Sequence, residues 1–294
     1  SFKLVSINVS RFDANKHLAL AVVGDAKVSL DELSLALGDW KAGEEWNKKS
    51  QVELKAWNEY VDKESAPSNQ EVPSYVQVIG AIYKNSDPSD IAVTAAGGLV
   101  GEVIQVWRPR ELNTHETEWG FSCMSYEISG ALGIKMANPD KEVISFVGDG
   151  SYLLNNTDIY SSVITNNKLI IIVCDNGGFA VINRLQLFKG GNEYNNLLKS
   201  SNTPGLVDID FAKHAESMGA KSEHVSSISD LEEAFKRAKK SKVTYVISIK
   251  THAYQWLEGS AFWDSPTLEV PTTKENKEAL RLYKEGKSKQ RQGV

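Results

Sequence analysis

The stretch VISFVGDGSY, residues 143–152, decides the fold class of the chain. An apolar run ends in a carboxylate, Asp149, that lies between two glycines, and a helical pattern over residues 151–165 follows directly. A second continuous β-branched run, residues 168–174, comes after this helix and is followed by the polar Asn176. Continuous apolar strands that alternate with helices are typical of a parallel sheet buried on both faces. We therefore predict an α/β fold, a parallel sheet with helices on both faces.

The same alternation extends over the chain from residue 71 onward. The predicted helices cover residues 73–84, 123–136, 151–165 and 229–240, and the strands that follow them cover residues 90–95, 142–147, 168–174 and 243–249. Residues 1–40 contain two further strands and two helices, and a charged helical segment leads to a polar break at residues 64–70. We divide the chain into the tail of a middle α/β domain (1–40), of which only a part is present, a linker helix with the boundary (41–70) and the main, C-terminal domain with its C-terminal tail (71–294).

The composition argues against several classes of protein. The chain has 294 residues, of which 41% are hydrophobic and 24% charged, so a substantial core can form. The formal net charge is −5 and charges of both signs are interspersed, which argues against nucleic-acid binding. No apolar run reaches the ~18 residues that a membrane span needs. The two cysteines, Cys123 and Cys174, lie in apolar surroundings without metal-ligand spacing, so we expect reduced core thiols in a cytoplasmic protein.

Asp149 and Asn176 are expected to meet at one edge of the sheet. Each follows a buried strand, and residues 151–175 between them provide one helix and one strand. The carboxyl ends of parallel strands joined by a single crossover lie at the same edge, where ligands bind in open α/β sheets. A carboxylate, an amide oxygen and a backbone carbonyl are ligands that suit Mg²⁺, which completes its shell with phosphate oxygens and water. Gly-Asp-Gly alone is more often an ordinary turn, so the spacing to Asn176 carries the prediction.

This spacing of Gly148-Asp149-Gly150 and Asn176 resembles the cofactor motif of thiamine-diphosphate-dependent enzymes. The resemblance implies thiamine diphosphate and magnesium as cofactors, with Asp149, the Asn176 side chain and the main-chain oxygen of Gly178 as metal ligands. The cofactor contacts that it implies come from Gly97, Gly98, Leu99, Ser122, Met124, Gly148, Asp149, Gly150, Ser151, Asn176 and Gly178.

The resemblance gives two of these residues a particular role. The apolar Met124 would form a wedge beneath the cofactor rings, and the Ser122 carbonyl would accept a hydrogen bond from the cofactor's amino group. Taken alone, Met124 is more readily a core residue at the start of a helix, since Met usually fills gaps. Glu127 is expected to cap its helix or to pair within it.

Longer segments narrow the resemblance to one group within the family. Residues 115–127, 175–186 and 262–270 resemble members that open a cyclic dione by carbon–carbon hydrolysis during inositol degradation, giving a deoxy-uronic acid. This likeness covers nearly the whole chain and implies a small cyclic dione as substrate and a homodimer or homotetramer. His115 and Glu118 are the candidates for proton transfer at the substrate, although each is also readable as a solvated loop residue.

The resemblance also implies a partner domain. Its glutamate would bind the pyrimidine ring of the cofactor, and the domain would come from the same or a neighbouring subunit. Because the sequence opens at Ser1 in a strand-like segment, and a domain takes ~100–200 residues, we expect a C-terminal portion with little turnover alone. Two alternatives stay open: an acetolactate-synthase-like or decarboxylating member, and a non-catalytic cofactor-binding module. A Rossmann-type enzyme is disfavoured because no G-x-G-x-x-G follows the first strand of a βαβ unit.

Overall fold

A computed structural model describes residues 3–68, 70–202, 208–258, 265 and 267–290. The strands are β1 (Val5–Asn8), β2 (Leu20–Val23), β3 (Ile91–Thr94), β4 (His115–Thr117), β5 (Val143–Gly148), β6 (Ile170–Asp175), β7 (Lys221–Val225) and β8 (Tyr245–Lys250). Six of them form one sheet in the order β4-β3-β5-β6-β8-β7, and all neighbours run parallel. The predicted parallel sheet is confirmed. The sequence pattern missed β4 and β7, which are the two edge strands and carry polar residues.

Helices cover both faces of this sheet. They are α1 (Arg11–Ala14), α2 (Ala26–Leu37), α3 (Glu44–Glu64), α4 (Tyr75–Asn85), α5 (Gly97–Val106), α6 (Tyr126–Ala137), α7 (Asp149–Leu154), α8 (Thr157–Ile164), α9 (Ala180–Phe188), α10 (Phe211–Ser217), α11 (Ile228–Lys240) and α12 (Lys274–Ser288). Because side chains alternate along a strand, Ile170 and Ile172 of β6 face α4, α5 and α11, whereas Ile171 and Val173 face α6, α7, α8 and α10. The pattern had not predicted α5, α9 or α10.

The helix predicted over residues 151–165 is wrong in one respect, because two helices occupy this region. The first, α7, begins at Asp149, and Asn155 then adopts an extended conformation before α8. The Asn155 side chain donates to Ser129 Oγ, and the Asn156 side chain donates to the Tyr152 carbonyl. Such side-chain hydrogen bonds compete with helix propagation. The helix that follows the Gly-Asp-Gly segment is therefore short.

The first part of the chain forms a separate small sheet. Strands β1 and β2 pair in parallel, and α2 begins at the N-cap Asp25. The leucines of α2 stay about half exposed or more. The following helix, α3, packs its C-terminal end on the larger sheet's helices, since Val61 belongs to the core cluster of α4. The division of the chain into three parts remains a prediction.

The polar tail after residue 270 contains the helix α12. The Asn276 side chain is buried and donates to the Gly190 carbonyl over 2.7 Å, which attaches α12 to the end of α9. Residues 262–264 and 266, which carried part of the family resemblance, lie outside the described residues, as does Asn69 of the predicted boundary. None of the described helices has the length and apolar character that a bilayer span requires.

Candidate functional site

The loops after β5 and β6 meet at the carboxyl edge of the sheet. The backbone N–H of Gly178 donates to Asp149 Oδ2 over 2.6 Å, although the two residues are 29 positions apart. The loop that contains Asn176 and Gly178 therefore lies directly against the first residue of α7. The structure brings together the three residues expected to hold a metal ion, and their role as ligands stays a prediction.

Two buried oxygen atoms in this region lack a hydrogen-bond donor among the described residues. They are Asp149 Oδ1 and Asn176 Oδ1. Asp149 is only 4% exposed, and burial together with the neighbouring Asp175 carboxylate raises the pKa of Asp149 to about 7. An unpaired buried polar atom costs about 1–3 kcal/mol. A divalent cation would satisfy both oxygens and would favour the ionised carboxylate, so the residues present fit such an ion.

The segment after β3, residues 95–98, is called the glycine loop here. It leaves backbone atoms accessible. Gly97 is the first residue of α5, has φ +75°, and has no heavy atom within 4 Å of the position that a Cβ would take. The unpaired N–H groups at this helix N-terminus suit an anion such as a diphosphate. Gly98 lies against the ring of Tyr75, 3.5 Å from the position of a Cβ. Leu99 is buried in the core, so its side chain serves packing.

Gly150 is required where the two loops touch. A Cβ at this position would lie 2.6 Å from Cε1 of Phe179, which follows Gly178 on the other loop. Around Gly148, by contrast, there is open space. Gly150 thus permits the approach of Phe179, while Gly148 leaves room beside the backbone.

Glu118 holds the turn that contains Ser122 and Met124. Its carboxylate accepts hydrogen bonds from the backbone N–H groups of Phe121 (2.9 Å) and Cys123 (2.6 Å). These bonds, that from Cys123 first, lower the pKa of Glu118. Ser122 has φ +51°, a left-handed conformation that is uncommon outside glycine and recurs at functional sites.

His115 lies on the edge strand β4. Its Nε2 atom is 3.0 Å from Thr117 Oγ1, and burial lowers the pKa of His115, so that the neutral ring predominates at pH 7. In the structure, His115 therefore contacts a residue of its own strand, and Glu118 binds the turn that follows this strand. No observation tests their assignment to proton transfer.

One expectation for the segment before α6 is wrong because this helix begins at Tyr126, later than predicted. Cys123 is exposed and lies in the turn, so it is not a core thiol, whereas Cys174 is buried as expected. Met124 is 36% exposed, which excludes the alternative that it is a core residue. Its placement as a wedge beneath a cofactor stays a prediction.

Glu127 links two loops, so its role extends beyond the capping of its own helix, where the backbone N–H groups of Glu127 and Ser125 also face its carboxylate. It is 1% exposed, and its carboxylate accepts hydrogen bonds from the Ala96 N–H (3.1 Å) and the Ser151 hydroxyl (2.8 Å). Ser151 Oγ in turn accepts from the Ser125 N–H over 2.6 Å. The Ser151 side chain is therefore engaged within the protein, and only its backbone is left for a cofactor contact.

Sequence reasoning missed Tyr75 and Glu127. Tyr75 begins an apolar helix and looks like an ordinary core residue, while its partner Asn176 is 101 positions away. Glu127 carried a usable signal, since it is a carboxylate between Tyr126 and Ile128 in a helix that is otherwise largely apolar.

A family model of known proteins matches the part of the chain that contains the candidate site. Residues 95–249, just over half of the chain, match the family described as "Thiamine pyrophosphate enzyme, C-terminal TPP binding domain". The match begins at the glycine loop after β3 and ends in β8.

Two curated relatives are both named 3D-(3,5/4)-trihydroxycyclohexane-1,2-dione hydrolase. The protein from Clostridium tetani is 35% identical, over 89% of this chain and 45% of its own length. The protein from Geobacillus thermodenitrificans is 34% identical, over 97% of this chain and 49% of its own length. The chain spans about half the length of the curated relatives that it matches.

A solved structure shows the same fold. A thiamine diphosphate-dependent 4-hydroxybenzoylformate decarboxylase from Rhodococcus jostii RHA1 superposes with a TM-score of 0.65 at 19% identity, over 85% of this chain and 44% of the decarboxylase. At this identity the likeness concerns the fold alone.

Proposed function

Because the chain belongs to the thiamine pyrophosphate enzyme family, we propose that it binds thiamine diphosphate through a magnesium ion. The observation that carries this proposal is the pair of buried oxygens, Asp149 Oδ1 and Asn176 Oδ1, on two joined loops. We further propose that the protein opens a trihydroxycyclohexane-1,2-dione ring by carbon–carbon hydrolysis. The names of the curated relatives support this substrate.

The proposed site residues have two tasks. One set would bind the metal ion and the diphosphate, and the other would position the cofactor rings. Asp149, Asn176 and the Gly178 carbonyl would hold the metal ion, and the N-terminus of α5 at Gly97 would bind the diphosphate. Thiamine diphosphate, when bound, supplies a nucleophilic carbon and accepts electrons during carbon–carbon cleavage. The turn that Glu118 braces would present Ser122 and Met124 to the cofactor rings.

His115 remains the candidate for proton transfer at the substrate. Since burial lowers the pKa of His115, its neutral ring can accept a proton at pH 7. Glu118 is ionised and engaged by two backbone N–H groups, which favours a positioning role over proton transfer.

The activity of the whole protein also depends on parts beyond this sheet. We propose that a pyrimidine-binding domain, from the same or a neighbouring subunit of a homodimer or homotetramer, completes the active site. We place the reaction in inositol catabolism in the cytoplasm.

Calorimetric titration of the complete enzyme, with its pyrimidine-binding domain, with thiamine diphosphate tests the cofactor site. We expect binding that requires MgCl₂ and is lost in Asp149→Asn, while Asp140→Asn, an exposed acid in the loop before β5, leaves it unchanged. An unaltered affinity in Asp149→Asn would contradict the site.

Product analysis with the complete enzyme, including its pyrimidine-binding domain, tests the substrate. Ring opening of the cyclic dione, with no turnover of pyruvate, is the expected result. Turnover of pyruvate alone would instead indicate an acetolactate-synthase-like or decarboxylating enzyme, and cofactor binding without turnover of either compound would indicate a non-catalytic module.

A further inference from the structure

Tyr75 lies beneath both loops of the proposed cofactor site. It is the first residue of α4, is 5% exposed, and belongs to the core cluster on one face of the sheet. Its hydroxyl nevertheless reaches the loop after β6, where it accepts a hydrogen bond from Asn176 Nδ2. A buried phenol that ends at a predicted metal ligand does more than fill the core.

The hydrogen bond decides which end of the Asn176 amide is free. A side-chain amide has one end that donates and one that accepts, and only the oxygen can ligate a cation. Because Nδ2 is engaged by Tyr75, the oxygen Oδ1 is left as the buried acceptor without a donor among the described residues. In this arrangement the phenol holds the amide in the orientation that leaves its oxygen for an ion.

The ring of Tyr75 lies on the side of Gly98 toward which a side chain would project. Its Cε2 atom lies 3.5 Å from the position that a Cβ would take there, and its Cδ2 atom lies 4.0 Å from that position. Gly98 stands in the first turn of α5, beside the backbone that would bind a diphosphate. Tyr75 therefore binds the metal-ligand loop through its hydroxyl, while its ring lies beside the first turn of α5.

We propose that Tyr75 is a positioning residue that fixes the Asn176 amide for metal binding. The inference rests on the proposed function, because it concerns the magnesium ion of that same site. It adds a residue that lies outside the matched family segment, residues 95–249.

The MgCl₂ concentration at which the complete enzyme binds thiamine diphosphate half-maximally, measured by calorimetry, tests this role. In Tyr75→Phe the buried Nδ2 group loses its acceptor and the amide can rotate, so we expect about tenfold weaker Mg²⁺ binding. Tyr83→Phe makes the same change on the same helix, where the ring packs on Trp107, and should leave binding unchanged. Equal Mg²⁺ affinities in wild type and Tyr75→Phe would overturn the inference.

A second background separates orientation of the amide from other effects of the Tyr75 hydroxyl. A carboxylate has two equivalent oxygens, so Asn176→Asp needs no partner to select the ligating atom. In that background we expect Tyr75→Phe to cost less than about twofold in Mg²⁺ affinity. The same tenfold loss in both backgrounds would show that the hydroxyl acts in another way and would overturn the orienting role.

The two proposals fail in different ways. If the complete enzyme, with its pyrimidine-binding domain, does not bind thiamine diphosphate with Mg²⁺, the proposed cofactor site is wrong and the role of Tyr75 falls with it. If the wild type binds both and Tyr75→Phe binds equally well, only the role of Tyr75 is wrong.

Discussion

The N–H of Gly178 donates to Oδ2 of Asp149, and this bond leaves Oδ1 of the same carboxylate for a ligand. One side chain thus joins the loops of two neighbouring strands and still offers an acceptor. The protein atoms alone set the distance between Asp149 and the loop of Asn176. Such a preformed arrangement lowers the entropic cost of ion binding, because the two loops are already held together.

The contact between these loops depends on the absence of a side chain at Gly150. In Gly150→Ala the new Cβ would lie 2.6 Å from Cε1 of Phe179, so the ring has to move. Because this ring is 45% exposed and can move outward, we expect a loss of at most about 1 kcal/mol in the free energy of unfolding, measured by urea denaturation. Gly148→Ala, where the space is open, should keep the stability of the wild type.

Removal of the ring provides the control for this prediction. In a Phe179→Ala background, the Gly150→Ala substitution should cost much less stability than it does in the wild type, because nothing then opposes the new Cβ. Equal losses from Gly150→Ala with and without the Phe179 ring would show that the clash is not the cause.

Glu127 is expected to stabilise the protein by holding two loops at once. Glu127→Ala leaves the Ala96 N–H and the Ser151 hydroxyl without their buried acceptor, so we expect a loss of about 2–3 kcal/mol. Glu127→Gln keeps one acceptor oxygen and should lose less. Urea denaturation measures both, with the exposed Glu116→Ala as the matched control; equal stability of Glu127→Ala and wild type would contradict the bracing role.

The sheet was predictable because its central strands are continuous apolar runs. Residues 143–147 and 170–174 are buried on both faces, and strands buried in this way consist of consecutive apolar residues that can be recognised in the sequence. The edge strands β4 and β7 are buried less and carry charged residues such as Glu116 and Glu223, so no apolar run marks them. Helix α5 was missed because its first residues are glycines, which favour loops in isolation.

The candidate site was predictable only where its residues follow strand ends. Asp149 and Asn176 stand at a spacing that the crossover geometry explains. The side chains that support the site could not be predicted in this way, because Tyr75 and Glu127 bind partners that are 101 and 31 positions away in the sequence. No local pattern records such pairs, and only the fold shows that these side chains are engaged.

The pKa of Glu102 makes the stability of the protein depend on pH. Its two carboxylate oxygens accept hydrogen bonds from the Leu257 N–H at 3.0 and 3.1 Å, and burial raises the pKa of Glu102 to about 7. An unfolded Glu titrates near 4.5. Between these values the folded chain binds more protons than the unfolded chain, so this residue lowers the free energy of unfolding as pH rises from 4.5 to 7.

Glu102→Gln removes this titration. Since the glutamine stays neutral, we expect the variant to match the wild type near pH 4.5 and to exceed its stability at pH 8 by about 1–3 kcal/mol. Urea denaturation at the two pH values measures the difference, with Glu111→Gln, an exposed carboxylate, as the control. A difference from wild type that is the same at both pH values would contradict the assignment to Glu102.

The bracing role of Glu118 predicts a change in the reactivity of its neighbour Cys123. Desolvation and then the negative charge of Glu118 raise the pKa of the exposed Cys123 thiol, and the same carboxylate holds the Cys123 and Phe121 N–H groups. In Glu118→Gln we therefore expect faster alkylation of Cys123 by iodoacetamide at about pH 8 and faster hydrogen exchange at both amides. Glu111→Gln should change neither rate. If alkylation and exchange stay at wild-type rates in Glu118→Gln while dione turnover falls in the complete enzyme, Glu118 acts on the substrate and the positioning role is wrong.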